Sequence, residues 1–209
     1  FGAVRSRQGP VKQGGRRNLS SAKVINPLTT VIEKMVTSGM VEDYEEANEK
    51  LTEAMGIEAI DGERIDLTQY DPLQAAEKTD STDEEMEVAL SAAQAAIQIG
   101  SIMVSTNELG GNDSAVIESI AGEVIESADQ GGTIQLQETL SESDSIELLL
   151  SSATDDSSIG EGAENLALTN SEINQAESLD AIVEQYGAAG AREILRSLQN
   201  HVLGLNIPL

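Results

Sequence analysis

Residues 81–111 read STDEEMEVALSAAQAAIQIGSIMVSTNELGG, and this stretch decides the fold class. Ser81 and Thr82 stand three residues before Glu84 and Glu85, the spacing of a capping box. In that motif the hydroxyl takes an amide of the first turn and the carboxylate reaches back to the cap. Met86, Leu90, Ala93, Ile97 and the run Ile99 to Val104 follow, placing the buried side of one long helix. Gly110-Gly111 ends it. Ala92, Ala93, Ala95 and Ala96 carry so little bulk that a neighbouring backbone can come close.

Working upstream, Asn26-Pro27 opens an earlier helix, since Asn caps well and Pro suits the first helical position. Leu28, Val31, Ile32, Met35 and Val36 give it one apolar face, and Gly39 stops it. Tyr44, Ala47, Leu51, Ala54 and Met55 mark a second amphipathic helix ended by Gly56, so the two form a helical hairpin. The acids Glu42, Asp43, Glu45, Glu46 and Glu49 read as a solvated outer face near a helix start. Residues 57–73 are expected to be an irregular connection, with Asp66 capping Thr68 to Tyr70 and Asp71 forming a turn or cap before Pro72.

Downstream, Asn112-Asp113-Ser114 starts a helix with Val116, Ile117, Ile120, Val124 and Ile125 on one face, broken by Gly131-Gly132. A single helix is expected over Ile134 to Leu150. Residues 151–162, rich in Ser, Asp and Gly, are expected to be a loop and an internal boundary. Two closing helices follow, Ser171 to Tyr186 and Ala188 to Leu203, with Pro208 preventing extension. The chain is therefore all-α, an irregular multi-helix bundle with an N-terminal extended basic arm. Its expected organisation is the arm or linker at 1–23, a helical module at 24–110, and a second helical region at 111–209 that can pack on the first.

Composition supports this. Apolar residues make up 39% of the 209, but there is one Phe, three Tyr and no Trp, so the core rests on aliphatic contacts. The net charge of −25 is divided unevenly. Residues 1–23 carry Arg5, Arg7, Lys12, Arg16, Arg17 and Lys23 and no acid, and the arm is expected to lie on an acidic surface of this chain or of an adjacent copy. From Thr79 to Ala191 there are 23 acids and no Lys or Arg. No surface from that stretch can offer phosphates a basic face, so no nucleic-acid partner is expected. No uninterrupted apolar run approaches the roughly 20 residues that span a bilayer, so no membrane-spanning helix is expected. The first residue is Phe1, suggesting a processed product or part of a larger polypeptide.

Few chemistries survive inspection. With His201 the only histidine and no cysteine, a nucleophile–base pair has one possible base, and His201 sits in an amphipathic pattern with Leu198, Val202 and Leu205. Zinc sites built on His and Cys are unavailable to this chain, and neither a Walker loop nor a dinucleotide fingerprint occurs. No catalytic or cofactor-binding residue is assigned. A carboxylate-based hydrolase remains a remote alternative, weakened by the four aromatics. Hard cations take oxygen ligands, so Asp66, Asp71, Asp113, Asp155, Asp156 and Glu161 are the candidates for weakly bound Ca2+, although no EF-hand loop is present.

Val24-Ile25-Asn26-Pro27-Leu28-Thr29-Thr30-Val31, followed by Ile65-Asp66-Leu67-Thr68-Gln69-Tyr70-Asp71-Pro72-Leu73, resembles a helical module of very large secreted bacterial surface proteins. The resemblance covers about residues 22–110 and carries no catalytic assignment. It implies a structural or adhesive module, extracellular or at the cell surface, that accompanies calcium-dependent, cadherin-like or immunoglobulin-like repeats and binds protein partners or copies of itself. Asn26-Pro27 and Asp71-Pro72 would then be architectural. The alternative is an intracellular helical interaction scaffold that holds a partner helix in an alanine-lined groove.

Overall fold

The computed structural model describes residues 26–57, 59, 63–76, 81–131, 135–178, 180–182 and 184. The basic arm at 1–23, the closing helix expected at 188–203 and His201 lie outside the described residues. Among those described, the protein is all-α. Its helices are α1 Pro27–Thr37, α2 Tyr44–Ala54, α3 Pro72–Ala76, α4 Asp83–Glu108, α5 Asp113–Asp129, α6 Leu136–Thr139, α7 Ser143–Ser151 and α8 Ile159–Asn174.

Helix starts follow the local chemistry. Asn26 caps α1 reciprocally: Thr29 N–H donates to Asn26 Oδ1 at 3.0 Å and Asn26 N–H donates to Thr29 Oγ1 at 3.0 Å. Thr82 and Glu85 close the capping box of α4, with Thr82 N–H donating to Glu85 Oε2 at 2.8 Å. Asp43 caps α2 and Asn112 caps α5. Replacing Asn26 with alanine removes a buried cap and is expected to cost about 1 kcal/mol, within the 0.5–2 range for such changes. Urea unfolding would read it, and an unchanged midpoint would deny the cap a stabilising role.

Helix α4 is the axis. It packs against α1, α3, α5, α6, α7 and α8, while the α1–α2 hairpin lies on α5 and α7 pairs with α8. One aliphatic core runs through Leu28, Ile32, Met35, Leu51, Ile99, Ile102, Ile120, Leu136, Leu140 and Ile146 to Ile159 and Ala163 of α8. It crosses Gly110-Gly111 and the turn after α7 without interruption. Gly111 belongs to that join, because a Cβ there would come within 3.0 Å of Thr106 O and 3.2 Å of Ala153 O. Asn112 N–H donates to the same Ala153 oxygen at 3.0 Å.

Four expectations are corrected. Met86, expected on the buried side of α4, is exposed, and Val88 is buried instead. The first turn of α4 stands clear of the bundle with its acids, whereas every residue from Ala92 to Gly100 is buried, so its middle is covered all round. That is why α4 meets the length and apolarity needed to cross a membrane: Ser, Gln, Gly and Thr break up the run as read, yet 78% of its apolar window is buried inside the fold. Next, the single helix expected at 134–150 is two, α6 and α7, separated by a turn at Leu140 to Glu142. Leu140 is buried and its carbonyl accepts from Asn170 Nδ2 at 2.6 Å, so a tertiary partner replaces the helical bond that a continuous helix would make. Finally, the loop expected at 151–162 is shorter because α8 begins at Ile159, and the helix expected over Ser171 to Tyr186 is broken, since α8 ends at Asn174 with Gln175 as its C-cap and the described residues turn helical again only at 180–182. Gly160 and Gly162 read as loop formers, but burial of Ile159 and Ala163 against the core carries them into α8. A short helix, α3, also stands at the end of the connection expected to be irregular throughout.

Candidate functional site

The carboxylates singled out in the sequence are used locally. Asp66 Oδ1 accepts from Thr68 N–H at 3.0 Å and from Thr68 Oγ1 at 2.6 Å, while its Oδ2 accepts from Gln69 Nε2 at 2.8 Å. Asp71 Oδ1 accepts from Gln74 N–H at 3.2 Å at the start of α3. Asp113 and Glu161 stand in the first turns of α5 and α8, where a helix favours negative charge. Asp156 Oδ1 accepts from Ser158 N–H at 2.8 Å, and the hydrogen bonds from the Ser158 hydroxyl and amide hold its carboxyl below the usual range. Asp155 beside it is exposed. Among the described residues, no three acidic, His or Cys side chains come together as a metal cage. Weak calcium binding at such separate carboxylates is tested by melting curves with calcium, with chelator and with sodium chloride at matched ionic strength: a calcium-specific shift reversed by chelator is expected, and equal shifts for the two salts would reduce the effect to screening.

The cations have a clearer use. Lys34 Nζ lies 2.7 Å from Glu118 Oε2 and donates to Ser114 Oγ at 3.1 Å. Lys50 Nζ lies 2.6 Å from Asp129 Oδ1, and that hydrogen bond, ahead of the opposing burial, raises the Lys50 pKa. Arg64 lies 2.6 Å from Glu49. Helices α1 and α2 thus lend α5 the positive charge that its own stretch of sequence lacks. The partly exposed Lys34 and Lys50 pairs contribute little each, about 0–1 kcal/mol.

Two carboxyls are held toward their neutral form. Burial raises Glu33, and burial followed by the charge of Glu126 raises Glu123. The folded state disfavours their ionised forms, so their stabilising effect is full below the ordinary Glu pKa and is lost as pH rises through the raised values. Glu123→Gln should narrow the gap in melting temperature between pH 5 and pH 7, and an unchanged gap would show that Glu123 carries no such linkage.

Sequence reading passed over the most distinctive cluster, a seam of buried amides between α4, α6 and α8. Gln94 Nε2 donates to Ile173 O at 3.0 Å, Asn174 O at 3.3 Å and Ala176 O at 3.0 Å, capping the last turn of α8. Gln98 Nε2 donates to Gln137 O at 3.2 Å, Ser141 Oγ at 3.1 Å and Asn170 O at 3.0 Å. Gln137 Nε2 donates to Ser91 Oγ at 2.7 Å and lies 3.5 Å from Met55 O, the carbonyl at the end of α2. The amide hydrogens are directed chiefly at carbonyls near the ends of α2, α6 and α8, where helices leave several carbonyls short of a backbone partner. Gln98 Oε1, Gln137 Oε1 and Asn170 Oδ1 remain buried with no hydrogen-bond donor. Left bare, each such acceptor would cost about 1–3 kcal/mol. The available signal was that polar Gln94 and Gln98 fall one turn apart inside an otherwise apolar helix.

This arrangement fastens α4 to α6 and α8. The chain matches no family model, no curated protein and no solved structure.

Proposed function

We propose that the chain is a non-enzymatic structural and adhesive module of an extracellular or cell-surface assembly, binding protein partners or copies of itself. The observation that carries this reading is the use made of the two motif stretches. Asn26 fastens the start of α1, Asp66 and Asp71 shape the turn into α3, and Asn48 of α2 grips the second stretch. Asn48 Nδ2 donates to Ile65 O at 2.7 Å and Asn48 Oδ1 accepts from Leu67 N–H at 2.9 Å. Side chains spent on holding backbone suit a module whose product is shape. The acidic surface favours partners that bring positive charge, in contacts weakened by salt.

The alternative, an intracellular scaffold that holds a partner helix, has less support, because Ala92, Ala93, Ala95 and Ala96, expected to line its groove, are buried within the chain.

The test is surface accessibility in the source cells, with an antibody against folded protein applied before and after permeabilisation. Labelling and protease sensitivity on intact cells are expected. Labelling only after permeabilisation would overturn the extracellular assignment. Sedimentation at increasing protein concentration separately decides between self-association and binding of another protein.

A further inference from the structure

We propose that the amide seam between α4, α6 and α8 is a binding site for internal water, with at least one long-lived molecule donating to Gln98 Oε1 and Asn170 Oδ1. Both residues are fully buried, and both amide orientations are fixed by what their nitrogens meet. Turning Gln98 over would aim its oxygen at Gln137 O and Asn170 O, and turning Asn170 over would aim its oxygen at Leu140 O, 2.6 Å from the nitrogen. The unpartnered oxygens therefore belong to the fold rather than to an arbitrary assignment of atoms.

The seam is acceptor-rich. Carbonyls from the ends of α2, α6 and α8 enter it, and the amide and serine hydrogens are already directed at them. Ser141 Oγ donates to Gln137 O at 2.7 Å and Ser91 Oγ donates to Met55 O at 3.2 Å. A site with surplus acceptors takes a small donor. Water supplies two hydrogens, and buried waters typically bridge two to four such groups. A metal cation fits less well. Calcium takes six to eight oxygens with carboxylates among them, and three unpartnered amide oxygens replace neither that shell nor its charge. The entropy of holding a water is smaller than the cost of leaving buried acceptors bare.

Oxygen-17 magnetic relaxation dispersion on the whole chain reads waters held longer than molecular tumbling and is blind to exchanging serine hydroxyl protons. The wild type is expected to show a dispersion step. Gln98→Met, which removes both the donor and the unpartnered oxygen, is expected to lose amplitude equivalent to about one water or more. Asn170→Leu, which removes the second unpartnered oxygen, serves if circular dichroism shows that the first variant does not fold. A high-resolution crystal structure of the wild type, with water density within hydrogen-bonding distance of Gln98 Oε1 and Asn170 Oδ1, is the check that needs no variant. No dispersion step, a dry seam in the crystal, or an unchanged step in a folded variant would each overturn the proposal. So would a step present in potassium chloride and absent in choline chloride, which would assign the site to a cation.

Discussion

Leu149→Ala is expected to lower the unfolding free energy by about 2–5 kcal/mol, while Leu148→Ala, one residue earlier, stays within about 0.5 kcal/mol. The two side chains are chemically identical and share α7, yet Leu149 is 2% exposed and Leu148 is 72% exposed. Leu149 belongs to the same core as Ile146 and Leu150, so truncation removes transfer energy and opens a cavity that the tightly packed pair α7 and α8 cannot close. At Leu148 water already covers most of the side chain. Urea midpoints of the two variants at equal m-value decide the matter. Equal losses would mean that α7 is turned differently about its axis, and a large loss at Leu148 alone would place that face against protein.

The second large effect concerns Gln98→Glu, an isosteric change in the fully buried centre of α4. The Gln98 nitrogen faces two backbone carbonyls and the Ser141 hydroxyl. An oxygen in its place meets two acceptors without a hydrogen between, and an ionised carboxyl would carry an uncompensated charge far from any Lys or Arg in its own stretch of sequence. The expected cost at pH 7 is about 3–5 kcal/mol, the range for leaving a buried charge unpaired. Burial disfavours the ionised form, so the folded pKa of the new carboxyl lies above its unfolded value. The deficit relative to wild type is then smallest below the unfolded pKa, where the protonated acid supplies one O–H donor, and grows as pH rises through the folded value. Chemical unfolding of both proteins at pH 4 and pH 7 measures it. A deficit independent of pH would mean that the new group stays in one protonation state or finds water, and a deficit within about 0.5 kcal/mol would remove the seam from the stability of the fold.

The sequence by itself determined that the chain is helical and where α1, α2, α4 and α5 begin. Asn26, Asp43, Thr82 with Glu85, and Asn112 act on amides two or three residues away, so their effect is complete within a turn and needs no knowledge of the rest of the chain. The faces of α1 and α5 were legible for a related reason: each is covered on one side only, and a single 3.6-residue stripe records that.

What only the tertiary structure decided is everything that depends on being covered from several directions. Helix α4 is enclosed all round in its middle, so its pattern has no single face to read, and Met86 and Val88 exchange places. The turn between α6 and α7 exists because Asn170, 30 residues away from Leu140, takes the carbonyl that a continuous helix would have used. The partners of the amide seam were hidden for the same reason. Glutamine in a helix is ordinary as sequence, and Gln94 and Gln98 become unusual only when α6 and α8 bring their carbonyls to them. Charge followed the same division. The sequence placed the cations and acids in different stretches, and the packing of α1 and α2 on α5 brought Lys34 to Glu118 and Lys50 to Asp129. Local hydrogen bonds are encoded where they act, whereas burial and charge pairing arise from residues far apart in the chain, and their partners are chosen only when the helices pack.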